Sequence, residues 1–293
     1  MPHGRAVAVM VAATLLWSIA GVVTLQLESA RSFEVTFWRS FFNALALAAM
    51  LIFLRGAGPL RRAIADADRT LWLSGLCWCV MFTAFMLAMT LTTVANVLVT
   101  MASAPLLTAL INRVVLRRAL PLRTWITVLV AGAGIGWMYA HEVNGADARH
   151  LLGSVVALGV PIAAAINWTV IQRRSGGGVD RDLLPAVLIG AVLSALLTLP
   201  LALPFSGSAH DVAWLALLGV AQLAVPCLMA VAAARSLSAP EASLLSLLEI
   251  VFGVAWAWWA AHEAPAAHVL GGGLLVLGAL AANEALALRR AGV

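Results

Sequence analysis

Ten runs of about twenty apolar residues follow one another along this chain, with little sequence left between them. A helix needs about 20 such residues to cross the roughly 30 Å hydrocarbon layer of a bilayer. The runs predict transmembrane helices over approximately 6–27, 33–54, 70–89, 94–115, 122–140, 151–171, 183–203, 212–233, 240–260 and 267–288. Only 11% of the residues are charged, against about 25% in soluble domains, so a water-soluble fold is excluded. The runs are too long and too weakly alternating for β-barrel strands of about ten residues. The expected fold class is therefore an all-α membrane protein. The first run has only Arg5 ahead of it and no small-residue cleavage site, and is expected to be a retained helix rather than a signal peptide.

All of the chain's basic residues are arginines, and they sort by side. Arg5; Arg55, Arg61, Arg62 and Arg69; Arg113, Arg117, Arg118 and Arg123; Arg173, Arg174 and Arg181; and Arg235, Arg289 and Arg290 fall on one side, while the other receives Arg31 and Arg149. The positive-inside rule makes the rich side cytoplasmic, which places both termini there and requires an even number of helices. The net charge of +5 thus reads as a topology signal, and no nucleic-acid partner is implied.

A shift of about 146 residues lays the third to fifth runs on the eighth to tenth: Ala88–Thr93 meets Ala234–Ala239, Leu98 meets Leu244, Thr100 meets Ser246 and Gly132 meets Gly278. The chain is expected to divide into repeats at 1–145 and 146–293. Five helices per repeat is an odd number, so the second copy enters the membrane from the opposite face. Inverted repeats of this kind exchange conformations around a midplane site, and alternating access is the inference.

The sequence resembles the drug/metabolite transporter superfamily, and within it the EamA-type ten-helix carriers. Leu15-Leu16-Trp17-Ser18 is similar to the family's first-helix opening, and Trp38-Arg39 with Phe41-Phe42 to its arginine-bearing second helix. Leu247-Leu248-Glu249-Ile250-Val251-Phe252-Gly253, then His262-Glu263, Gly271-Gly272-Gly273 and Gly278, resemble the ninth and tenth helices. Ile250 stands where the family often has proline, and Arg117 where an acidic residue is common. Size and tryptophan content look most like the YddG-type exporters of aromatic amino acids and related metabolites. The resemblance implies a multi-pass carrier in a bacterial cytoplasmic membrane.

Candidate cavity residues follow from polar or aromatic groups inside apolar runs. Asn96, Thr100 and Ser103 recur at i, i+4 and i+7, one polar stripe on the fourth helix. They either line a cavity, with Ser246 and Glu249 facing them, or bond back to their own helix or a neighbour. Glu249 near a helix centre is costly unless protonated, paired or wetted. It receives a substrate amine, carries a coupling proton, or pairs with Arg39 or the asparagines. Arg39 either forms an orienting charge pair or extends its stem to the outer interface. Trp17, Trp78 and Trp168 lie within spans and are cavity or packing aromatics, whereas Trp137, Trp214, Trp258 and Trp259 sit nearer the ends, where an interfacial belt places them. Asn167 and Gln222 add polar groups near the midplane, beside expected irregularities at Pro161 and Pro226.

Cys77, Cys79 and Cys227 fall inside spans and read as packing residues. The histidines are scattered and the acids do not repeat at metal-binding spacing, so no metal, cofactor or enzymatic centre is expected. The expected partners are a small-molecule substrate, amino acids or related metabolites, and the lipid bilayer, in a monomer or weak oligomer. Carriers of lipophilic cations or nucleotides on the same scaffold stand as the alternative; a dominant acidic cavity marks the first and several cavity arginines the second.

Overall fold

The computed structural model describes residues 1–30, 32–116, 148–175, 183–234, 236, 245–246, 248–261 and 267–291, with short pieces of 122–137. Its elements are α1 (His3–Ser18), α2 (Ala20–Thr24), α3 (Ser32–Arg55), α4 (Ala57–Ala65), α5 (Arg69–Leu91), α6 (Val94–Met101) and α7 (Ala104–Leu116). They are followed by α8 (Ala148–Ala157), α9 (Gly159–Ser175), α10 (Leu184–Ala202), α11 (Ala209–Leu217), a π-helical segment (Leu218–Ala224), α12 (Val225–Ala234), α13 (Leu248–Ala261) and α14 (Ala267–Ala291). No strand occurs among the described residues.

Six helices among the described residues are long and apolar enough to cross a membrane: 3–24, 33–55, 69–91, 148–167, 184–202 and 209–233. Each matches an expected span. The expected span 94–115 is divided at Ala102 and Ser103 into α6 and α7. The expected span 267–288 lies within α14, whereas 122–140 and the first part of 240–260 fall largely outside the described residues. Large apolar side chains such as Phe53, Leu196, Leu197, Trp258, Trp259 and Leu274 are exposed on the bundle's outside. In water that surface would aggregate; in a bilayer it is the solvated surface.

Local chemistry sets the helix ends. Gly56 closes α3 at φ +85°, a left-handed conformation suited to glycine after a helix. α4 follows as a surface helix, with Leu60 buried and Arg61 and Arg62 exposed. Asp68 caps α5 by accepting from the Leu71 N–H at 2.9 Å, and Thr93 caps α6 by accepting from the Asn96 N–H at 3.3 Å.

Small residues and hydroxyls hold the interior together. A Cβ on Gly190 would meet the Trp78 side chain and the Cys79 backbone, and one on Gly75 would stand 2.7 Å from Ile189, so α5 and α10 approach backbone to backbone. Ser40 and Thr83 each hydrogen-bond Ser194 at 2.8 Å, tying α3, α5 and α10 together. Ser74 donates to Asn167 Oδ1 at 2.6 Å and joins α5 to α9. Cys77 and Cys79 are buried free thiols in α5, in keeping with the packing role expected of them.

Candidate functional site

One end of the bundle is held by two buried carboxylates. Asp211, at the start of α11, accepts from the backbone N–H groups of Glu28 (2.8 Å), Ser29 (3.0 Å) and Ala30 (3.0 Å), and from the Ser29 hydroxyl (2.7 Å). With Ser208 it also forms a reciprocal capping box at its own helix N-terminus. Glu34, at the start of α3, accepts from the Ser206 N–H and hydroxyl, both at 2.9 Å, and from the Gly207 N–H at 2.8 Å. Phe205 stacks on Phe37 with centroids 5.3 Å apart and leans on Trp38 at 4.9 Å. The turn at 25–30 and the turn at 203–208 are thereby clasped together. The sequence reading did not identify this clasp, although the Ser208-x-x-Asp211 spacing carries half of it.

Deeper in the bundle lies a cavity of about 170 Å³. α1 supplies Met10 and Trp17; α3 supplies Arg39; α5 supplies Trp78, Met81, Phe82 and Phe85. Met101, Ala104 and Thr108 come from α6 and α7, and Val160, Pro161 and Ala164 from α9. Gln222, Leu223 and Cys227 close it from the π-helical segment and α12, with Ser246 and Glu249 beside them. Both halves of the chain therefore contribute to one cavity. Its walls are aromatic and thioether groups, with few polar groups at defined places, the composition of a small-molecule pocket.

Arg39 is 2% exposed. Its guanidinium donates from Nε and Nη2 to Gln222 Oε1, at 3.2 and 2.7 Å. Gln222 Nε2 in turn donates to the Trp17 carbonyl at 3.0 Å, so α1, α3 and the π-helical segment meet at one amide. The guanidinium carbon lies 5.2 Å from the centre of the Phe85 ring, a cation–π contact. Among the described residues, Arg39 Nη1 has no hydrogen-bond partner.

The π-helical segment explains how Gln222 reaches Arg39. Pro226 lacks the N–H that would bond the Gln222 carbonyl four residues earlier, and its ring crowds that carbonyl, so the preceding turns widen. Gly219 lets this widened stretch lie against α3: a Cβ there would be 2.7 Å from the Arg39 carbonyl and 2.8 Å from the Asn43 nitrogen. The irregularity expected at Pro226 is found just before it, and the one expected at Pro161 is found at Leu158, between α8 and α9.

Glu249, at the start of α13, is 9% exposed and lines the same cavity. Arg39 lines this cavity too. No ion pair within 4.0 Å joins them among the described residues. The direct hydrogen-bond partner of Arg39 is the neutral Gln222 amide, with Glu249 on the same cavity wall. Its stem turns inward rather than toward the outer interface, because Gln222 and Phe85 hold the guanidinium inside.

Of the other expected residues, Trp17, Trp78, Gln222 and Ser246 line the cavity. Asn96, Thr100 and Ser103 are buried but are not among the lining residues. Thr100 donates to the Asn96 carbonyl and Ser103 to the Thr100 carbonyl, each at 2.7 Å, while Asn96 Nδ2 donates to Thr92 at 3.1 Å. The lining face of these helices is Met101, Ala104 and Thr108, turned by one residue from the polar stripe. Asn167 is spent on Ser74 and does not reach the cavity. The side chain of Trp168 lies outside the described residues. Cys227, read as a packing thiol, also faces the cavity. The sequence reading passed over Met81, Phe82 and Phe85, which stand with Trp78 at helical spacing. Such a stripe looks the same in sequence whether it faces a cavity, a neighbouring helix or lipid.

A helical bundle with lipid-facing apolar sides and a partly polar interior cavity defines a multi-pass membrane protein. The family model of the EamA-like transporter family matches residues 4–140 and 151–283. The chain belongs to this family of transporters, within the drug/metabolite transporter superfamily. A solved protein crystal structure superposes with a TM-score of 0.65 over 98% of this chain and 99% of that one, at 19% sequence identity, and shares the fold. No curated protein sequence matches the chain.

Proposed function

We propose that the protein is a carrier that exports small metabolites, amino acids including aromatic ones, by alternating access around the cavity between α1, α3, α5, α9 and α12. In this reading the chain has ten transmembrane helices as inverted repeats at 1–145 and 146–293, with both termini cytoplasmic. It sits in a bacterial inner membrane as a monomer or weak oligomer, and works in the manner of the YddG-type exporters.

The observation that carries the reading is the composition of the cavity. A cation, Arg39, and a carboxyl group, Glu249, line one chamber whose remaining walls include Trp17, Trp78, Phe82 and Phe85. A zwitterion presents opposite charges to such a pair, and an aromatic side chain stacks on such walls at about 0.5 to 1.5 kcal/mol per ring pair beyond its burial. Trp17, Trp78, Asn96, Thr100, Ser103, Asn167, Trp168, Gln222, Ser246 and Glu249 are the residues proposed from sequence for the substrate path. The cavity favours Trp17, Trp78, Gln222, Ser246 and Glu249 among them and adds Arg39. A single arginine and a single carboxyl group favour a zwitterion over a lipophilic cation or a nucleotide.

The test is flux in proteoliposomes of tritiated tryptophan, phenylalanine, methionine and threonine, with and without a pH gradient. Saturable uptake above protein-free vesicles is expected. Absence of flux for all four, alongside a carrier reconstituted in parallel that does transport, would sink the amino-acid reading.

A further inference from the structure

A guanidinium offers two edges for paired hydrogen bonds, Nε with Nη2 and Nη1 with Nη2. In Arg39 the first edge is filled by Gln222 Oε1, at 3.2 and 2.7 Å. The second is not: Nη1 is buried, lacks a partner among the described residues and belongs to a side chain that lines the cavity. Gln222 is neutral, so it orients the cation without discharging it. A buried cation with an empty fork is costly, and a carboxylate fits that fork in both charge and geometry.

We infer that the Nη1–Nη2 edge of Arg39 is the anchor for a substrate carboxylate, with Gln222 the residue that positions it, so that the cavity takes small amphipathic carboxylates and refuses the corresponding amines. The inference rests on the cavity being the substrate site, and names what that site selects.

The selection follows from an asymmetry between the two ionisable groups. Glu249 can take up a proton, but an arginine does not shed one in a protein. A substrate bearing only a carboxylate pairs with Arg39 while Glu249 becomes neutral, and the chamber carries no net charge. A free amino acid pairs with both groups and is also neutral overall. An amine without a carboxylate leaves Arg39 unpaired and adds a second cation to the same apolar chamber. A neutralised Glu249 cannot relieve that charge, and an ionised one relieves half of it. The Phe85 ring beneath Arg39 and the two bonds to Gln222 Oε1 hold the guanidinium in place.

The experiment uses the full chain purified in detergent and follows its thermal stability against tryptophan, indole-3-propionate and tryptamine. These share one ring and differ in their charged groups, and each ligand's dissociation constant follows from the concentration dependence of the stabilisation. Tryptophan and indole-3-propionate are expected to bind at least about tenfold more tightly than tryptamine. Gln222→Leu is expected to weaken the two carboxylates about tenfold and change tryptamine by less than about twofold, whereas a merely structural role would weaken all three alike. Arg39→Gln should erase the discrimination; if that variant does not fold, the wild-type series and Gln222→Leu still decide. Tryptamine binding as tightly as indole-3-propionate overturns the anchor. Indole-3-propionate binding while tryptophan does not keeps the anchor and sinks the amino-acid reading. Binding by none of the three overturns both.

Discussion

Replacing Asp211 by alanine removes the acceptor for three backbone N–H groups and one hydroxyl of the turn at 28–30. Hydrogen bonds to a charged group are worth about 1.5 to 3 kcal/mol each when cleanly lost. Here the donors lie on a turn where Glu28 and Ser29 are exposed, so water replaces much of what the carboxylate gave. A net loss of about 2 to 4 kcal/mol for the clasped arrangement follows once that rehydration is allowed for. Every 1.4 kcal/mol is tenfold, so the ratio of clasped to parted molecules should fall by about thirty- to several-hundred-fold. In a carrier that alternates, this end must part during each cycle, and the variant should populate that parted form at rest. Spin labels at Gln26 and Leu203, both exposed, report the separation of the two turns in a background lacking the native cysteines. The wild type should give one short distance and Asp211→Ala a second, longer population. Asp211→Asn, which keeps the shape and loses the charge, should fall between them. A folded, monodisperse Asp211→Ala protein with the wild-type distance distribution would refute the reasoning.

Other outcomes follow from the same structure. Gly219→Ala pushes a methyl group into the Arg39 carbonyl and the Asn43 nitrogen; it should cost about 1 to 3 kcal/mol in stability and raise the transport KM, measured by thermal melting and vesicle flux. Glu249→Gln should retain binding of indole-3-propionate while weakening tryptophan about tenfold, read from thermal shifts. Ser74→Ala breaks the Asn167 contact away from the cavity and should lower stability by about 0.6 to 1 kcal/mol with the transport KM unchanged.

The long helices were legible because the bilayer demands a fixed length of apolar chain, and 33–54, 70–89 and 183–203 differ from α3, α5 and α10 by two residues or fewer at either end. The division at Ala102 and Ser103 also carries a local mark that was passed over: Pro105, in the first turn of α7, lacks the N–H that would bond the Met101 carbonyl and continue one helix through the span. Pro226 did mark its widened turn, because a missing N–H is a local property. Glu249, Gln222, Trp17 and Trp78 were found because a polar or aromatic residue inside an apolar run needs a reason. The direction a polar stripe faces has no such local signature. Thr100 and Ser103 donate back to carbonyls of their own chain and Asn96 Nδ2 donates to Thr92, and the lining face is one residue away. The clasp is made of pairings across more than 170 residues, of which only the Ser208–Asp211 capping box is local.

The central claim is that the substrate occupies the cavity between the repeats, and Cys227 is a native reporter on its wall. In a chain with Cys77 and Cys79 replaced by alanine, the rate of Cys227 alkylation by N-ethylmaleimide should fall as tryptophan is added, with half-protection at the concentration that half-saturates transport. Saturable transport with no protection of Cys227 at any tryptophan concentration would contradict the account.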